Sequence, residues 1–265
     1  MKKKMVIDVI TIFPQMVEEI IKESILKRAQ QKNIVKINIH NLRDFALDKH
    51  SIVDDYSYGG GAGMVFKPEP IFRAVEKIVG KKKRKRKGRI ILLTPQGQTF
   101  NQAKAKELSR EEHLLFICGH YEGVDERVKE NLITDEVSIG DYVLTGGELP
   151  AMVVIDSVVR ILPGVLNRRE SFENDSFYQG LLDYAHYTRP RRFRRKSVPV
   201  LLLSGNHALI RKWRRQKALE NTLYKRPDLL EKIILSAEDR KILEELKGKK
   251  VKRAAPRFVS KSANR

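Results

Sequence analysis

The chain contains few of the residues that cross-link a fold or build a metal cluster. Only one of its 265 residues is cysteine, and its six histidines lack paired metal-ligand spacing. A disulfide framework and a cysteine-rich zinc cluster are therefore excluded. Cys118 lies in an apolar stretch, which is typical of a reduced, buried thiol in a cytoplasmic protein; a catalytic nucleophile is the alternative. A chain of this length can bury a core without such cross-links.

Long apolar segments are also missing. No run reaches the roughly 20 residues that a transmembrane helix needs, and no basic stretch carries a long apolar face suited to a membrane surface. The first residues are basic, as in a signal peptide, but Asp8 and then Pro14 interrupt the apolar part. We therefore expect a first strand here, and no membrane partner.

Acidic residues are the third shortage. The chain has 33 Asp and Glu against 53 Lys and Arg, which gives a net charge of +20. A surface this basic attracts polyanions, and salt weakens that attraction. Nucleic acid is therefore the leading predicted partner, with an anionic membrane as the rival. The basic run 81–87 must stay solvated, and we expect it to be a connector; whether it or the basic tail contacts RNA is left open.

Three short apolar runs are each closed by a glycine-bearing turn. They are 89–93, 113–118 and the stretch 136–150, whose turn holds Gly140, Gly146 and Gly147. Each pattern predicts a buried strand that feeds a sharp loop and then a helix. In an open α/β sheet the ligand crevice lies beyond the carboxyl ends of the strands. We therefore expect the loops to converge on one pocket, although an ordinary loop remains the alternative for any lone glycine pair.

The polar stretch 43–64 ends in several glycines and has no periodicity. This pattern predicts a long loop, and long loops in compact domains are often functional. No Lys-Ser or Lys-Thr pair follows at the place that a P-loop requires, and the glycines do not fit the dinucleotide fingerprint. A flexible loop without a ligand is the alternative.

Periodicity predicts the other elements of the first part of the chain. We expect a strand from Met5 to Phe13, and then a helix from Pro14 with an apolar stripe. That stripe consists of Met16, Val17, Ile20, Ile21 and Ile25. The further predicted elements are a strand at 35–39 and helices at 70–79, 101–109, 124–132 and 149–162.

Periodicity vanishes at 165–178, and this marks a domain boundary. Beyond it we predict helices, with Asn206 as a cap, a start at Pro227, and a capping box of Ser236 and Asp239. A positive cluster at 191–196 indicates contact with RNA phosphates, with surface solubility as the alternative. The predicted segments are an α/β domain at 1–164, a linker at 165–178, a helical domain at 179–248 and a basic, disordered tail at 249–265.

Four motifs resemble, in this order, those of the bacterial tRNA (guanine-N1)-methyltransferases, which modify the guanine at tRNA position 37, next to the anticodon. They are 93–97, 117–127, 138–152 and 186–190. The resemblance extends to about residue 247. Periodicity alone indicates a doubly wound Rossmann-type sheet. The resemblance implies instead the α/β, trefoil-knotted fold of the SPOUT methyltransferases, with a parallel sheet and a small C-terminal helical domain.

The resemblance implies that S-adenosylmethionine is the cofactor. The implied cofactor-binding residues are Leu93, Thr94, Pro95, Gln96, Gly119, Tyr121, Glu122, Gly123, Ser138, Ile139, Gly140, Asp141, Tyr142, Val143, Leu144, Gly146, Gly147 and Pro150. It also implies Mg2+ near Glu122 or near the cofactor's carboxylate, although nothing in the residue spacing indicates that site.

Catalytic roles also follow from the resemblance. Guanine N1 carries a proton, so methylation there requires a general base. Asp175 corresponds to the family's catalytic aspartate, and Arg160 to an arginine near guanine O6, where a cation stabilises developing negative charge. The substrate-binding residues that we expect are Asp54, Gly59, Gly60 and Arg189. The resemblance further implies a cytoplasmic homodimer in which Asp175 and its linker serve the partner's site.

Two other functions remain open from the sequence. One is a non-catalytic RNA-binding protein that uses its charge and has lost the chemistry. The other is a methyltransferase that acts on the ribose 2′-hydroxyl, as other knotted relatives do. Binding of S-adenosylmethionine separates the first alternative from an enzyme, and mapping the methylated atom separates the second.

Overall fold

The computed structural model describes residues 4–80, 88–167 and 170–254. The basic run 81–87 and the last residues of the predicted tail lie outside this part of the chain. The chain divides into two compact units, Met1–Arg169 and Glu170–Arg265. The division falls inside the predicted linker 165–178, and the exact domain boundaries stay a prediction.

A five-stranded parallel sheet forms the centre of the first unit, in the order β2-β1-β6-β5-β7. Its strands are β1 (Met5–Thr11), β2 (Val35–Asn41), β5 (Arg89–Thr99), β6 (His113–Cys118) and β7 (Asp135–Ser138). Every residue of β6 is buried, as expected for a parallel strand covered on both faces. The predicted α/β fold with a parallel sheet is therefore confirmed, whereas the knot itself stays a prediction.

Six helices accompany this sheet in the described part of the first unit. They are α1 (Pro14–Ile21), α2 (Ser24–Gln31), α3 (Pro68–Val79), α4 (Gln102–Leu108), α5 (Glu126–Leu132) and α6 (Glu148–Arg160). Helix α6 packs against α1, α2 and α4. Its residues Val154, Ile155, Val158 and Val159 are buried, so this helix forms much of the core on one face of the sheet.

The prediction of one continuous helix after Pro14 was wrong. The chain turns at Ser24, whose φ of 49° lies in the left-handed region, and this turn separates α1 from α2. Only part of the predicted apolar stripe is buried. Val17 and Ile21 are buried, whereas Met16 and Ile20 are 45% and 40% exposed. Helix α1 therefore presents apolar side chains on its outer face as well.

The stretch 43–64 is more ordered than predicted. A 3-10 turn covers Leu42–Phe45, and two short antiparallel strands, β3 (Asp54–Tyr56) and β4 (Met64–Phe66), form a hairpin around the glycines. Strand β5 also runs past its predicted end at Leu93. Its register with β7 shifts between Leu93 and Gln98, so the predicted turn is a bulge inside a longer strand.

The second unit contains three helices and a hairpin in its described part. These are α7 (Glu170–Glu173), β8 (Arg192–Phe193), β9 (Lys196–Ser197), α8 (His207–Lys225) and α9 (Ala237–Ala254). A 3-10 helix begins at Pro227. Leu219, Leu243 and Leu246 belong to the small core between α8 and α9. Helix α9 extends beyond the predicted domain end at residue 248.

Local capping chemistry in the second unit agrees with the sequence. The Asn206 side chain accepts a hydrogen bond from the Leu209 nitrogen at 3.1 Å. Ser236 and Asp239 each accept a hydrogen bond from the other's main-chain nitrogen at 3.1 Å. The predicted cap and the predicted capping box are therefore confirmed. Within the described ranges, no helix is both long enough and apolar enough to cross a bilayer.

Candidate active site

A cavity of about 330 Å³ lies at the carboxyl ends of β5, β6 and β7. The bulge of β5 and the loops that follow β6 and β7 line it, at the edge of the sheet where the sequence predicted a ligand crevice. Of the predicted cofactor-binding residues, only Asp141 is not part of its wall. The others that line it are Leu93, Thr94, Pro95, Gln96, Gly119, Tyr121, Glu122, Gly123, Ser138, Ile139, Gly140, Tyr142, Val143, Leu144, Gly146, Gly147 and Pro150.

Glycine allows two of these loops to touch through their main chains. The nitrogen of Gly147 donates a hydrogen bond to the carbonyl of Gly119 at 2.8 Å, and His120 pairs with Gly146 in an isolated β-bridge. A Cβ atom at position 147 would lie 2.7 Å from the Cα of Cys118, closer than real side chains approach. The cavity wall here therefore has no room for a larger residue.

The bulge of β5 also contacts its neighbour, β7, through the main chain. A Cβ atom at Gly97 would overlap the main chain of Glu136 and Val137. Gly97 therefore lets the bulge of β5 lie directly on β7. Close backbone approach, rather than flexibility, is what these two glycines supply.

Two polar groups are buried behind this wall. Glu148 is only 3% exposed, and its Oε1 accepts a hydrogen bond from the Thr11 hydroxyl at 2.6 Å. The Nδ1 atom of His120 is buried and has no hydrogen-bond partner among the described residues. Both side chains face the space beside Gly146 that a Cβ atom would fill. Buried polar atoms are nearly always paired, so the unpaired His120 Nδ1 is an exception in the described part of the wall.

The β3–β4 hairpin packs on the loop that follows β6. The nitrogen of Glu122 donates to the carbonyl of Met64 at 3.1 Å, and the nitrogen of Phe66 donates to the carbonyl of Gly123 at 2.9 Å. The Glu122 side chain packs directly against Gly63. The hairpin that carries the predicted substrate residues Asp54, Gly59 and Gly60 is thus anchored to the cavity loop, although these three residues do not line the cavity themselves.

Tyr121 links the hairpin to the cavity. Burial, followed by the negative charge of Asp54 and a hydrogen bond to it, raises the pKa of the Tyr121 hydroxyl. Tyr121 has a φ of 56°, a conformation that is uncommon for a residue with a side chain and that recurs at functional sites. Asp54 and the cavity wall are therefore in direct electrostatic contact.

Known proteins are similar to this chain over most of its length. The family model described as "tRNA (Guanine-1)-methyltransferase TrmD" matches residues 5–232. The chain belongs to this family. A protein from Dehalococcoides mccartyi, described as tRNA (guanine-N(1)-)-methyltransferase, is 58% identical over 242 residues, which are 91% of this chain and 97% of that protein. A protein of the same description from Anoxybacillus flavithermus is 57% identical over 243 residues, which are 92% and 98% of the two chains.

The residues to which the family resemblance assigns catalysis do not line the cavity of the same chain. Arg160 is the last residue of α6, whose first turn carries the cavity residue Pro150. At 1.5 Å per residue, the two positions are about 15 Å apart along the helix axis. Asp175 and the predicted substrate residue Arg189 belong to the second unit. The first unit therefore supplies the cavity without these three side chains.

Six cavity residues were not predicted from the sequence. They are Leu92, His120, Val124, Lys129, Val137 and Thr145. Lys129 donates a hydrogen bond to the Gln96 side chain at 3.0 Å and pairs with Glu126 at 3.0 Å. His120 lies inside the motif 117–127, so the family resemblance could have placed it among the predicted cofactor-binding residues. Lys129 could not, because only the register of the sheet brings α5 close to Gln96.

The implied magnesium ion has little support within one chain. Among the described residues, no group of three or more His, Cys, Asp or Glu side chains is placed to hold a metal ion. Glu122 contributes the one carboxylate of the cavity wall in this part of the chain. Proteins bind Mg2+ through one or two carboxylates together with waters and substrate groups, so the cavity wall supplies at most one of its ligands.

Proposed function

We propose that this protein transfers the methyl group of S-adenosylmethionine to N1 of the guanine at tRNA position 37, next to the anticodon. The observation that carries the proposal is the cavity that the bulge of β5 and the loops after β6 and β7 form together. Almost every residue assigned to the cofactor by family resemblance lies in its wall. Membership of the methyltransferase family supports the same reaction.

The cavity wall suits a nucleoside with an amino-acid tail. Its glycines expose main-chain donors and acceptors, because no side chain stands between the backbone and a ligand. Leu93, Val143 and Leu144 add apolar surface for a purine ring. When bound, the cofactor supplies a methyl group on a sulfonium. The wall holds that group in line with the nucleophile, and this positioning lowers the barrier.

Asp175 removes the proton from guanine N1 in this proposal. N1 is a poor nucleophile until that proton leaves, and a carboxylate within hydrogen-bond reach accepts it. Arg160 then stabilises the negative charge that develops on O6. No step depends on a metal ion, and magnesium stays an expectation from the resemblance alone.

Two subunits build each active site in this proposal. The separation between Pro150 and Arg160 along α6 keeps the arginine away from its own chain's cavity, and a second copy of the chain can supply it. Large apolar side chains are exposed on α6, on α1 and at the residue before α1, as expected for a subunit interface. They are Phe13, Met16, Ile20, Leu149 and Val153, which are 40–50% exposed. We therefore propose a homodimer in the cytoplasm, where its tRNA substrate is found.

The second unit binds tRNA in this proposal. Residues 184–219 contain 11 Lys and Arg and no Asp or Glu. Such a segment attracts the phosphate backbone without reading sequence. Arg189 lies in this segment, and the Asp54 hairpin contributes the base-side contacts.

The test uses purified protein, labelled S-adenosylmethionine and tRNA transcripts that differ only at position 37. Methyl transfer to the transcript with guanine, and not to the one with adenine, is the expected result. Nuclease digestion then identifies the methylated atom, and a 2′-O-methyl product would replace the N1 assignment. Failure to bind S-adenosylmethionine would favour a non-catalytic RNA-binding protein.

A further inference from the structure

The β8–β9 hairpin of the second unit turns through two arginines. Arg194 and Arg195 have φ values of 44° and 63°, and they connect the paired residues Phe193 and Lys196. Positive φ at both central positions defines a type I′ turn, which strongly favours Asn-Gly. Arginine is strained there, because its Cβ atom crowds the backbone in the left-handed region. Strain of this kind is concentrated at functional sites.

The hairpin displays its cations to solvent. Arg192, Arg194, Arg195 and Lys196 are all exposed. The Arg194 guanidinium lies 5.3 Å from the centre of the Phe193 ring, and that ring is itself 63% exposed. A planar guanidinium held against an aromatic ring loses less freedom when it binds a ligand.

Several cations of α8 have carboxylate partners, and those of the hairpin do not. Arg215 pairs with Asp239 at 2.8 Å, and Lys212 pairs with Glu238 at 3.3 Å. Within the described residues, no salt bridge involves Arg192, Arg194, Arg195 or Lys196. An exposed, unneutralised cluster of this density favours an anionic partner.

We infer that the β8–β9 hairpin grips phosphates of the substrate tRNA through Arg194 and Arg195. The inference rests on the proposed function, because that function makes tRNA the polyanion that the enzyme must hold. Guanidinium groups match phosphate oxygens with two parallel hydrogen bonds, which a lysine cannot form. The contacts fix the position of the RNA and do not select its sequence. The turn places the two arginines next to each other at the tip of the hairpin.

The test compares two variants of the full-length protein. Arg194→Asn with Arg195→Gly removes both cations and installs the dipeptide that the turn prefers. Lys27→Gln with Arg28→Gln removes the same charge from adjacent exposed residues of α2 and serves as the control. Binding of the tRNA transcript is measured over a range of salt concentrations, together with the thermal midpoint.

The turn variant should bind tRNA about tenfold more weakly at physiological salt, and its slope of log affinity against log salt should fall by about 2. Its thermal midpoint should stay level or rise, because Asn-Gly relieves the strain. Unchanged affinity and slope would overturn the inference, and so would an equal loss in the control variant. A lower thermal midpoint would also overturn it, since the arginines would then be structural.

Two further measurements separate this inference from its alternatives. The wild-type protein must methylate guanine N1 in the same preparation, and failure there would count against the proposed function instead. Vesicles that contain phosphatidylserine test a membrane partner. If the turn variant loses vesicle binding and keeps its tRNA affinity, the hairpin serves a lipid surface and the inference is wrong.

Discussion

The nitrogen of Gly147 donates a hydrogen bond to the carbonyl of Gly119 at 2.8 Å, and this contact joins two walls of the cavity. Gly147→Ala would force its methyl group against the Cα of Cys118, 2.7 Å away. We expect S-adenosylmethionine affinity to fall at least tenfold and stability to fall by about 2 kcal/mol, as for other overpacked sites. Isothermal titration and urea unfolding measure the two effects.

Gly248→Ala is the matched control for that substitution. A Cβ atom at Gly248 meets nothing within 4 Å, and the residue lies inside helix α9. Alanine there should raise stability by up to about 1 kcal/mol, because glycine is unfavourable in a helix. If the two alanine variants had the same cofactor affinity and the same stability, the close contact between Gly147 and Cys118 would not be what shapes the cavity.

Subunit mixing tests whether Asp175 acts across a dimer. Asp175→Ala should abolish methylation and leave cofactor binding intact, whereas the cavity of Gly147→Ala should stay empty when S-adenosylmethionine is kept well below the Kd of that variant. In a heterodimer of the two variants, one site combines an intact cavity with an intact Asp175 only if the aspartate reaches the partner. We expect co-expressed, doubly tagged heterodimers to recover about half of the wild-type rate. Inactive heterodimers would mean that Asp175 serves its own chain.

Asp239 makes stability depend on acid pH. The hydrogen bond from Arg215 lowers the pKa of Asp239 from 3.8 to about 2. A carboxylate with a lowered folded-state pKa stabilises the fold above its unfolded pKa, and the stabilisation disappears as the pH falls through the folded value. The difference corresponds to about 2 kcal/mol, lost between about pH 4 and pH 2. Asp239→Asn should remove this part of the pH dependence in urea unfolding.

Glu238→Gln provides a control one residue away. Glu238 pairs with Lys212 on the surface, where both side chains are more than half exposed. Exposed pairs contribute little, so this variant should unfold within about 0.5 kcal/mol of wild type. If both variants lost a comparable amount of stability, the cause would be the loss of a negative charge from α9 in general and not the pair between Asp239 and Arg215.

Asp8 holds three strands of the sheet together. Its buried carboxylate accepts hydrogen bonds from His113 at 2.6 Å, His40 at 2.7 Å and Asn38 at 2.9 Å. Burial alone would raise the pKa of Asp8, but these hydrogen bonds outweigh it and hold the pKa well below the usual range. Asp8→Ala should cost about 3 kcal/mol, because it leaves buried polar partners unpaired. A loss below 1 kcal/mol in urea unfolding would contradict this account.

The sequence predicted features that depend on short-range patterns. Apolar runs identified the buried strands, and the hydrogen-bonding side chains of Asn206, Ser236 and Asp239 identified helix starts. The β3–β4 hairpin was missed, because strands of three residues are stable only when docked, here through Phe66 on Gly123. Lys129 was missed for a similar reason. The roles of Asp175 and Arg160 came from family resemblance, since nothing in their neighbourhood distinguishes them from surface residues.

The position of β1 in the sheet affects how the protein is made. Strand β1 lies between β2 and β6, and its Val6 pairs with His113. A ribosome that adds about 5–20 residues per second needs roughly 5–20 seconds to deliver β6 after β1. During that interval one edge of an apolar strand has no partner. An unpaired strand edge favours aggregation, so the nascent chain is most exposed to it until β6 emerges and completes the centre of the sheet.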